Sequence, residues 1–186
     1  MKIYVIRHGL TPLNKKRILN AQLDEFLTPE GIKQAQASIA IIPKSVKHIY
    51  TSSLIRTKQT AKIINEKLNL PISEHDELRE IHMGSLAGMS WDDFGPGEEL
   101  KIKHRSIKFD YRNRGGESSS EFKKRVTSFL KQIAGKHKDG EALIVTHGGI
   151  VRLLYLLEHS KELTGEIANA SIHTVDLSKV LRNPDD

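Results

Sequence analysis

The chain has 186 residues, 38% of them apolar and 5% aromatic, enough for one globular domain with a full core. It contains no cysteine, which excludes disulfides, thiolate metal sites and a Cys nucleophile. Lys and Arg outnumber Asp and Glu by 29 to 23, a formal charge of +6 that favours anionic ligands, and no apolar run approaches the roughly 18 residues of a membrane span, so no membrane partner and a cytoplasmic location are expected.

Lys2 to Ile6 is an apolar run too short for a helix and closed by Arg7-His8-Gly9; it predicts a buried parallel strand. Thr28-Pro29-Glu30 supplies an N-cap, a first-turn proline and an early acid, and Ile32, Ala35, Ile39 and Ala40 recur at helical spacing, so a helix is expected from Pro29 to about Ile42. His48 to Ser52 reads as a second strand with hydroxyls at its tip, followed by a helix over Leu54 to Leu68 with Arg56 in its first turn. Leu70 to Ser73 is a short third strand. From about Gly84 to Gly116 the rhythm breaks at Gly84, Gly88, Gly95, Pro96, Gly97, Gly115 and Gly116, and this stretch is expected to be a lid-like insertion within the domain. Helical spacing returns over Glu121 to Ala134, then come a buried strand at Ala142 to Val145, an apolar helix at Gly149 to Leu157 and a last strand within Ala170 to Leu177. Strands alternating with helices predict a single α/β domain over residues 1–186, a three-layer sandwich whose mostly parallel central sheet is flanked by helices.

Two of the predicted strands end in histidine, at Arg7-His8-Gly9 and at Thr146-His147-Gly148-Gly149. Ligands of open α/β sheets bind beyond the carboxyl ends of the strands, so Arg7, His8, Arg56 and His147, each at or just past such an end, form a candidate phosphate pocket. The glycines after each His allow a tight turn and present backbone N–H groups to an oxyanion. A neutral imidazole attacks phosphorus when one ring nitrogen is free and the other is held by a hydrogen bond, and His8 is the candidate nucleophile. Phosphoryl transfer also needs charge neutralisation, which arginine supplies in bidentate form, and a proton for the leaving oxygen. Glu74, Asp76, Glu77 and Glu80 all precede the insertion; local reading does not separate them.

The segments Arg7-His8-Gly9-Leu10-Thr11 with Asn14 and Asp24, Leu27-Thr28-Pro29-Glu30-Gly31, Thr51-Ser52-Ser53-Leu54-Ile55-Arg56-Thr57, Leu78-Arg79-Glu80 with Gly84 and Gly88, Gly115-Gly116-Glu117-Ser118 and Val145-Thr146-His147-Gly148-Gly149 follow one another across nearly the whole chain. Together they resemble the histidine phosphatase superfamily, also called phosphoglycerate mutase-like. The resemblance implies that fold, with His8 phosphorylated, Glu80 as proton donor, and Arg7, Asn14, Arg56, His147 and Gly148 holding the transferring group, with no metal and no cofactor. The chain departs from the usual pattern at Leu10, where Glu or Gln is common, and at Ala21, where Gly is frequent.

Members of that family include mutases and phosphatases. The short insertion and tail favour a compact phosphatase acting on a small phosphorylated metabolite, with mutase-type phosphotransfer, a protein-phosphohistidine phosphatase and a phosphate-binding regulatory domain without turnover as alternatives. Lys101, Lys103, Arg105, Lys108, Arg112 and Arg114 against Asp110 form a basic stretch expected either to reach over the pocket toward a second anionic group or to be a solvated face. Sparse aromatics leave no stacking platform for nucleic acid. His82, His104, His137, His159 and His173 lack metal-ligand spacing, and Trp91 and Phe94 are expected to pack in the core. Oligomeric state is not encoded in any of these features.

Overall fold

Along the first strand of the computed structural model, which describes residues 1–94, 98–136 and 141–182, the side chains part by strict alternation. Ile3 and Val5 enter one hydrophobic cluster and Ile6 the other. The strand β4 (Glu141–Thr146) does the same, Ala142 and Ile144 facing the first cluster and Leu143 and Val145 the second. A strand apolar on both faces must be covered on both faces, and helices do so here. The result is a three-layer α/β sandwich around a five-stranded sheet of order β3-β2-β4-β1-β5. Its other strands are β1 (Lys2–Arg7), β2 (Val46–Ser52), β3 (Ile72–His75) and β5 (Ile172–Asp176).

One face is covered by α3 (Ile55–Leu68), whose Ala61 and Ile64 meet Ile49, Leu143 and Val145, with α2 (Pro29–Ser38) packed beside it. The other is covered by α5 (Ser119–Lys136) and α6 (Gly148–His159) through Phe122, Val126, Phe129, Leu130, Ile150 and Leu154. Short helices α1 (Pro12–Lys15), α4 (Glu98–Arg105) and α7 (Leu177–Val180) complete the set. The start signals act as expected: Thr28 Oγ1 accepts the Gly31 N–H at 3.0 Å behind Pro29. At α5, Ser118 and Glu121 exchange hydrogen bonds in a capping box.

The chain leaves β1 toward β2 on the face of α2 and leaves β4 toward β5 on the face of α6, so the connections diverge between these adjacent strands. That divergence opens a crevice at their carboxyl ends. Their parallel register pairs Arg7 with Thr146, which brings His8 and His147 out side by side. Gly9 and Gly31 interlock at its flank: a Cβ at Gly9 would stand 2.4 Å from the Gly31 oxygen, and one at Gly31 would stand 2.2 Å from the Leu10 oxygen.

The structure adds three features to the sequence reading. The last strand runs antiparallel to β1, pairing Ile3 with Val175, because the loop after α6 climbs back to the carboxyl end of the sheet, where Ala170 N–H meets the Arg7 carbonyl at 3.0 Å. The irregular stretch after Gly84 contains α4, and Ile107, Phe109 and Tyr111 are buried with the main core. The helix expected to reach Ile42 ends at Ser38 and continues as a single 3-10 turn, Ile39–Ile41. Gly95, Pro96, Gly97 and His137, and the side chain of Phe94, lie outside the described residues.

Candidate active site

His8 is buried, 3% exposed, at the end of β1. Its Nδ1 lies 2.8 Å from the Gly9 carbonyl oxygen, an acceptor only, so the ring hydrogen sits on Nδ1 and Nε2 carries the lone pair. Arg56 Nε donates to that Nε2 at 3.2 Å. Burial first, then the Arg56 and Arg7 cations, holds the His8 imidazole well below its ordinary pKa, so it stays neutral. Arg56 Nη1 and Nη2 each give one hydrogen, to the Leu23 and Ala21 carbonyls at 2.6 and 2.7 Å, which leaves one on each nitrogen, and the guanidinium is fully buried in the first turn of α3.

His147 stands beside His8 and meets a hydroxyl. Its Nε2 lies 2.9 Å from Ser52 Oγ at the tip of β2, and that hydroxyl already accepts the Leu54 N–H at 3.3 Å. When Ser52 gives its hydrogen to His147 Nε2, the ring hydrogen is on Nδ1. This Nδ1 is buried without a hydrogen-bond partner, as is Arg7 Nε. The His8 and His147 rings meet edge-on with centroids 5.2 Å apart. Burial, then Arg56, keeps His147 well below its ordinary pKa.

Glu80 approaches from the loop after β3. Its carboxylate accepts the Ile81 N–H at 2.9 Å and the Gly149 N–H at 3.2 Å, a fixed seat at the start of α6. A Cβ on Gly149 would stand 2.3 Å from Glu80 Oε1, so only glycine leaves room for the carboxylate there. Asn14 belongs to an amide network: its Oδ1 accepts from Asn169 Nδ2 at 3.1 Å, Asn169 Nδ2 also reaches the His8 carbonyl at 3.1 Å, and Asn14 Nδ2 donates to Asn20 at 3.2 Å.

Arg7, His8, Asn14, Arg56, Glu80 and Gly148 all line one cavity of about 360 Å³, with His147 fully buried behind them. All seven candidates from the sequence thus converge. The basic stretch does not act as one surface. Lys101 and Arg105, one turn apart on α4, face the cavity with Arg17 and Arg152. Lys103 pairs with Glu99 at 2.6 Å, Lys108 with Glu162 at 2.7 Å, and Arg112 with Asp110 at 2.6 Å. Neither Arg112 nor Arg114 lines the cavity. Trp91 lines it and meets His104 edge-on at 5.2 Å.

Several contributors were not singled out from the sequence: Ser52, Thr60 (which accepts the Gly9 N–H at 3.1 Å), Asn20, Asn169 and Arg152. Arg152 is braced by the Leu163 and Gly165 carbonyls, and burial pushes it down to about 10. His104, hydrogen-bonded to Tyr111 at 3.0 Å, is pushed down to about 3 by burial and by Arg152 and Arg105.

Three histidines held neutral give a pH signature. Unfolded histidines titrate near pH 6.5, so below that pH the unfolded chain binds protons that folded His8, His104 and His147 refuse. Their contribution is intact above pH 6.5 and is lost as pH falls, at up to about 1.4 kcal/mol per pH unit per histidine. The urea midpoint is expected to hold from pH 8 to 7 and to drop steeply from 6.5 to 5. A midpoint unchanged at pH 5 would mean that these rings are protonated in the folded state.

Comparison with known proteins gives the family. The sequence profile of the histidine phosphatase superfamily (branch 1) matches residues 3–181. The chain belongs to this superfamily. It is 34% identical over 184 residues to a metal-independent phosphoserine phosphatase of Arabidopsis thaliana, covering 95% of this chain and 76% of that one. It is also 34% identical over 187 residues to phosphoglycerate mutase-like protein 4 of the same plant, covering 95% and 79%. A mycobacterial glucosyl-3-phosphoglycerate phosphatase superposes with a TM-score of 0.80 at 25% identity, covering 93% of this chain and 91% of that structure. As a histidine phosphatase, the protein is a phosphoric monoester hydrolase of the phosphoglycerate mutase-like fold. Among the described residues no helix is long and apolar enough to cross a membrane.

Proposed function

We propose that this histidine phosphatase hydrolyses a small phosphomonoester bearing a second anionic group, without a metal ion, through a phosphohistidine at His8. The observation that carries the reading is the tautomer of His8: a neutral ring whose Nδ1–H is held by the Gly9 carbonyl, with a lone pair on Nε2 beside Arg56. As the substrate enters, Arg56 Nε turns its hydrogen bond from His8 Nε2 to a phosphoryl oxygen; the freed Nε2 attacks phosphorus, the ester P–O bond breaks, and the protonated Glu80 carboxyl gives its hydrogen to the departing oxygen. Arg7, Asn14, Arg56, the Nδ1–H of His147 and the backbone at Gly148 hold the three phosphoryl oxygens, where charge stabilisation contributes most. Water then attacks the phosphohistidine, Glu80 accepts its proton, the P–N bond breaks and inorganic phosphate leaves with His8 restored.

Beyond the phosphoryl site stand Lys101, Arg105 and Arg152 against Glu166, with Arg17 beside them paired to Asp92 at 3.3 Å. That excess supports a substrate with a carboxylate or second phosphate, and such groups occur in the substrates named for the phosphoserine and glucosyl-3-phosphoglycerate phosphatases above. Among the described residues Trp91 is the one Phe, Tyr or Trp in the cavity lining, which supports a small-molecule partner over nucleic acid. The protein's size and single sheet support reading residues 1–186 as one domain.

The test is phosphate release from a panel of phosphomonoesters in the presence of chelator. Turnover is expected to persist, with esters carrying a second anion preferred. In a Lys101→Ala/Arg105→Ala variant the KM for those esters is expected to rise about 5- to 20-fold, the size of two partly exposed ion pairs, while simple monoesters are unaffected. Equal KM changes for both classes would overturn the second-anion reading. Phosphate exchange between esters without net release would replace hydrolysis by mutase-type transfer, and binding without either would leave a regulatory phosphate-binding domain.

A further inference from the structure

The motif Gly115-Gly116-Glu117 contributes nothing to the cavity lining, yet it meets the backbone that carries Glu80. We propose that Glu117 and Arg125 form a clamp that sets the position of the Glu80 carboxyl and so governs proton delivery to the leaving oxygen. This inference rests on the assignment of Glu80 as proton donor.

Arg125, on α5, uses all five of its guanidinium hydrogens. Nη1 donates to the Glu77 and Arg79 carbonyls at 2.7 and 2.8 Å, and Nη2 to the Glu80 carbonyl at 3.0 Å. Nε and Nη2 complete a bidentate pair with Glu117 at 2.9 and 2.7 Å. Glu117 in turn accepts the His82 N–H at 2.8 Å, and its own N–H reaches the His82 carbonyl at 2.9 Å. The backbone on both sides of Glu80 is therefore tied to one planar fork. The two side chains are 21% and 13% exposed, sheltered enough for the pair to hold its geometry.

The glycines explain how Glu117 gets so close. A Cβ at Gly116 would stand 2.4 Å from the His82 oxygen, and one at Gly84 only 1.9 Å from the Arg114 oxygen. Only glycine permits this approach of the two segments. The Glu80 carboxylate itself meets backbone N–H groups, one of them from its own neighbour Ile81, so where the loop goes, the carboxylate goes. A misplacement of about 1 Å is enough to cost about 100-fold in rate.

A clamp acting through a general acid leaves a signature that loss of packing does not. The step it controls matters when the leaving oxygen is basic and hardly at all when it is a nitrophenolate. The experiment measures kcat/KM, which reports bond cleavage to the leaving group, for aryl and alkyl phosphates of rising leaving-group pKa with the unmodified enzyme, Glu80→Gln, Arg125→Lys, Arg125→Met and Glu117→Gln. Arg125→Lys cannot span three carbonyls and a carboxylate, so it is expected to behave like Arg125→Met. Both are expected to lose about 100-fold or more with alkyl phosphates and less than about threefold with nitrophenyl phosphate, with KM nearly unchanged, as Glu80→Gln does. Glu117→Gln, which keeps the shape but weakens the pair, is expected to show the same trend in smaller degree, and it serves as the test if Arg125 variants fail to fold.

A loss uniform across the series, no loss at all, or full activity in Arg125→Lys with alkyl phosphates would overturn the clamp. If Glu80→Gln itself shows no leaving-group dependence, the assignment of the proton donor falls, whatever Arg125 does.

Discussion

Replacing His8 by Ala is expected to reduce phosphate release by about 10⁴- to 10⁶-fold, the loss seen when a covalent nucleophile is removed from a site built around it. The rest of the pocket offers no substitute. His147 has its Nε2 engaged with Ser52 and, with the Ser52 hydrogen donated to that nitrogen, presents a hydrogen rather than a lone pair from Nδ1. Brief incubation with radiolabelled substrate followed by alkaline quench is expected to trap label on the unmodified enzyme, stable in base and released in acid, and none on His8→Ala. The acid limb offers a second check. Because burial, Arg56 and Arg7 hold His8 well below its ordinary range, its lone pair persists as pH falls through 6.5, so no loss of kcat/KM with that midpoint is expected from the nucleophile. A His8 ring resonance that titrates near pH 6.5 by NMR would show that the ring is more basic than its surroundings imply. Label retained by His8→Ala would remove His8 from the chemistry altogether.

What could be read from the sequence shares one physical property: it is written in local pattern. The two strand tips with their histidines follow from short apolar runs ended by His-Gly, and the start of α2 follows from a cap and a proline. The motif order then singled out Glu80 among carboxylates that local chemistry leaves equivalent. What was missed depends on chain closure. Ser52, Thr60, Asn20 and Asn169 are single polar residues with no periodicity, and they acquire meaning from partners 9 to 161 positions away. Arg125 carries no local mark at all, since three of its partners are main-chain carbonyls, which every residue has.

The direction of β5 was hidden for a related reason. A helix such as α6 usually delivers a parallel strand, but the loop that follows runs back across the sheet to supply Glu166, Ile167 and Asn169 to the cavity before β5 descends. The pocket thus explains the topology better than the strand pattern does. Ala21 shows the reverse case, a residue whose oddity was visible and whose consequence was not. It adopts a left-handed conformation, φ 42, while its carbonyl receives Arg56. For a residue with a Cβ this costs about 1–2 kcal/mol, which the hydrogen bond to a buried cation offsets.

Arg56 carries both the fold and the chemistry, and Arg56→Lys is expected to separate them. The lysine keeps a positive charge but loses the fork that reaches His8 Nε2 and the Leu23 and Ala21 carbonyls together. One buried and one partly buried carbonyl without donors are expected to lower stability by about 1–3 kcal/mol, read as a fall in the urea midpoint. Arg56 itself, pushed down to about 10 by burial, remains cationic at neutral pH, and a fixed guanidinium on a transferring phosphoryl group is worth about 10³- to 10⁵-fold in rate. A loss of that size in kcat/KM is therefore expected for Arg56→Lys at temperatures where it is fully folded. Inorganic phosphate supplies the deciding measurement. A ligand that binds only the folded state raises its stability, so millimolar phosphate is expected to shift the midpoint of the unmodified protein and to leave that of Arg56→Lys unmoved. If the variant is destabilised yet still responds to phosphate and retains activity within about tenfold, Arg56 is a brace for the 21–23 loop and the phosphoryl oxygens are held by Arg7 and His147 without it.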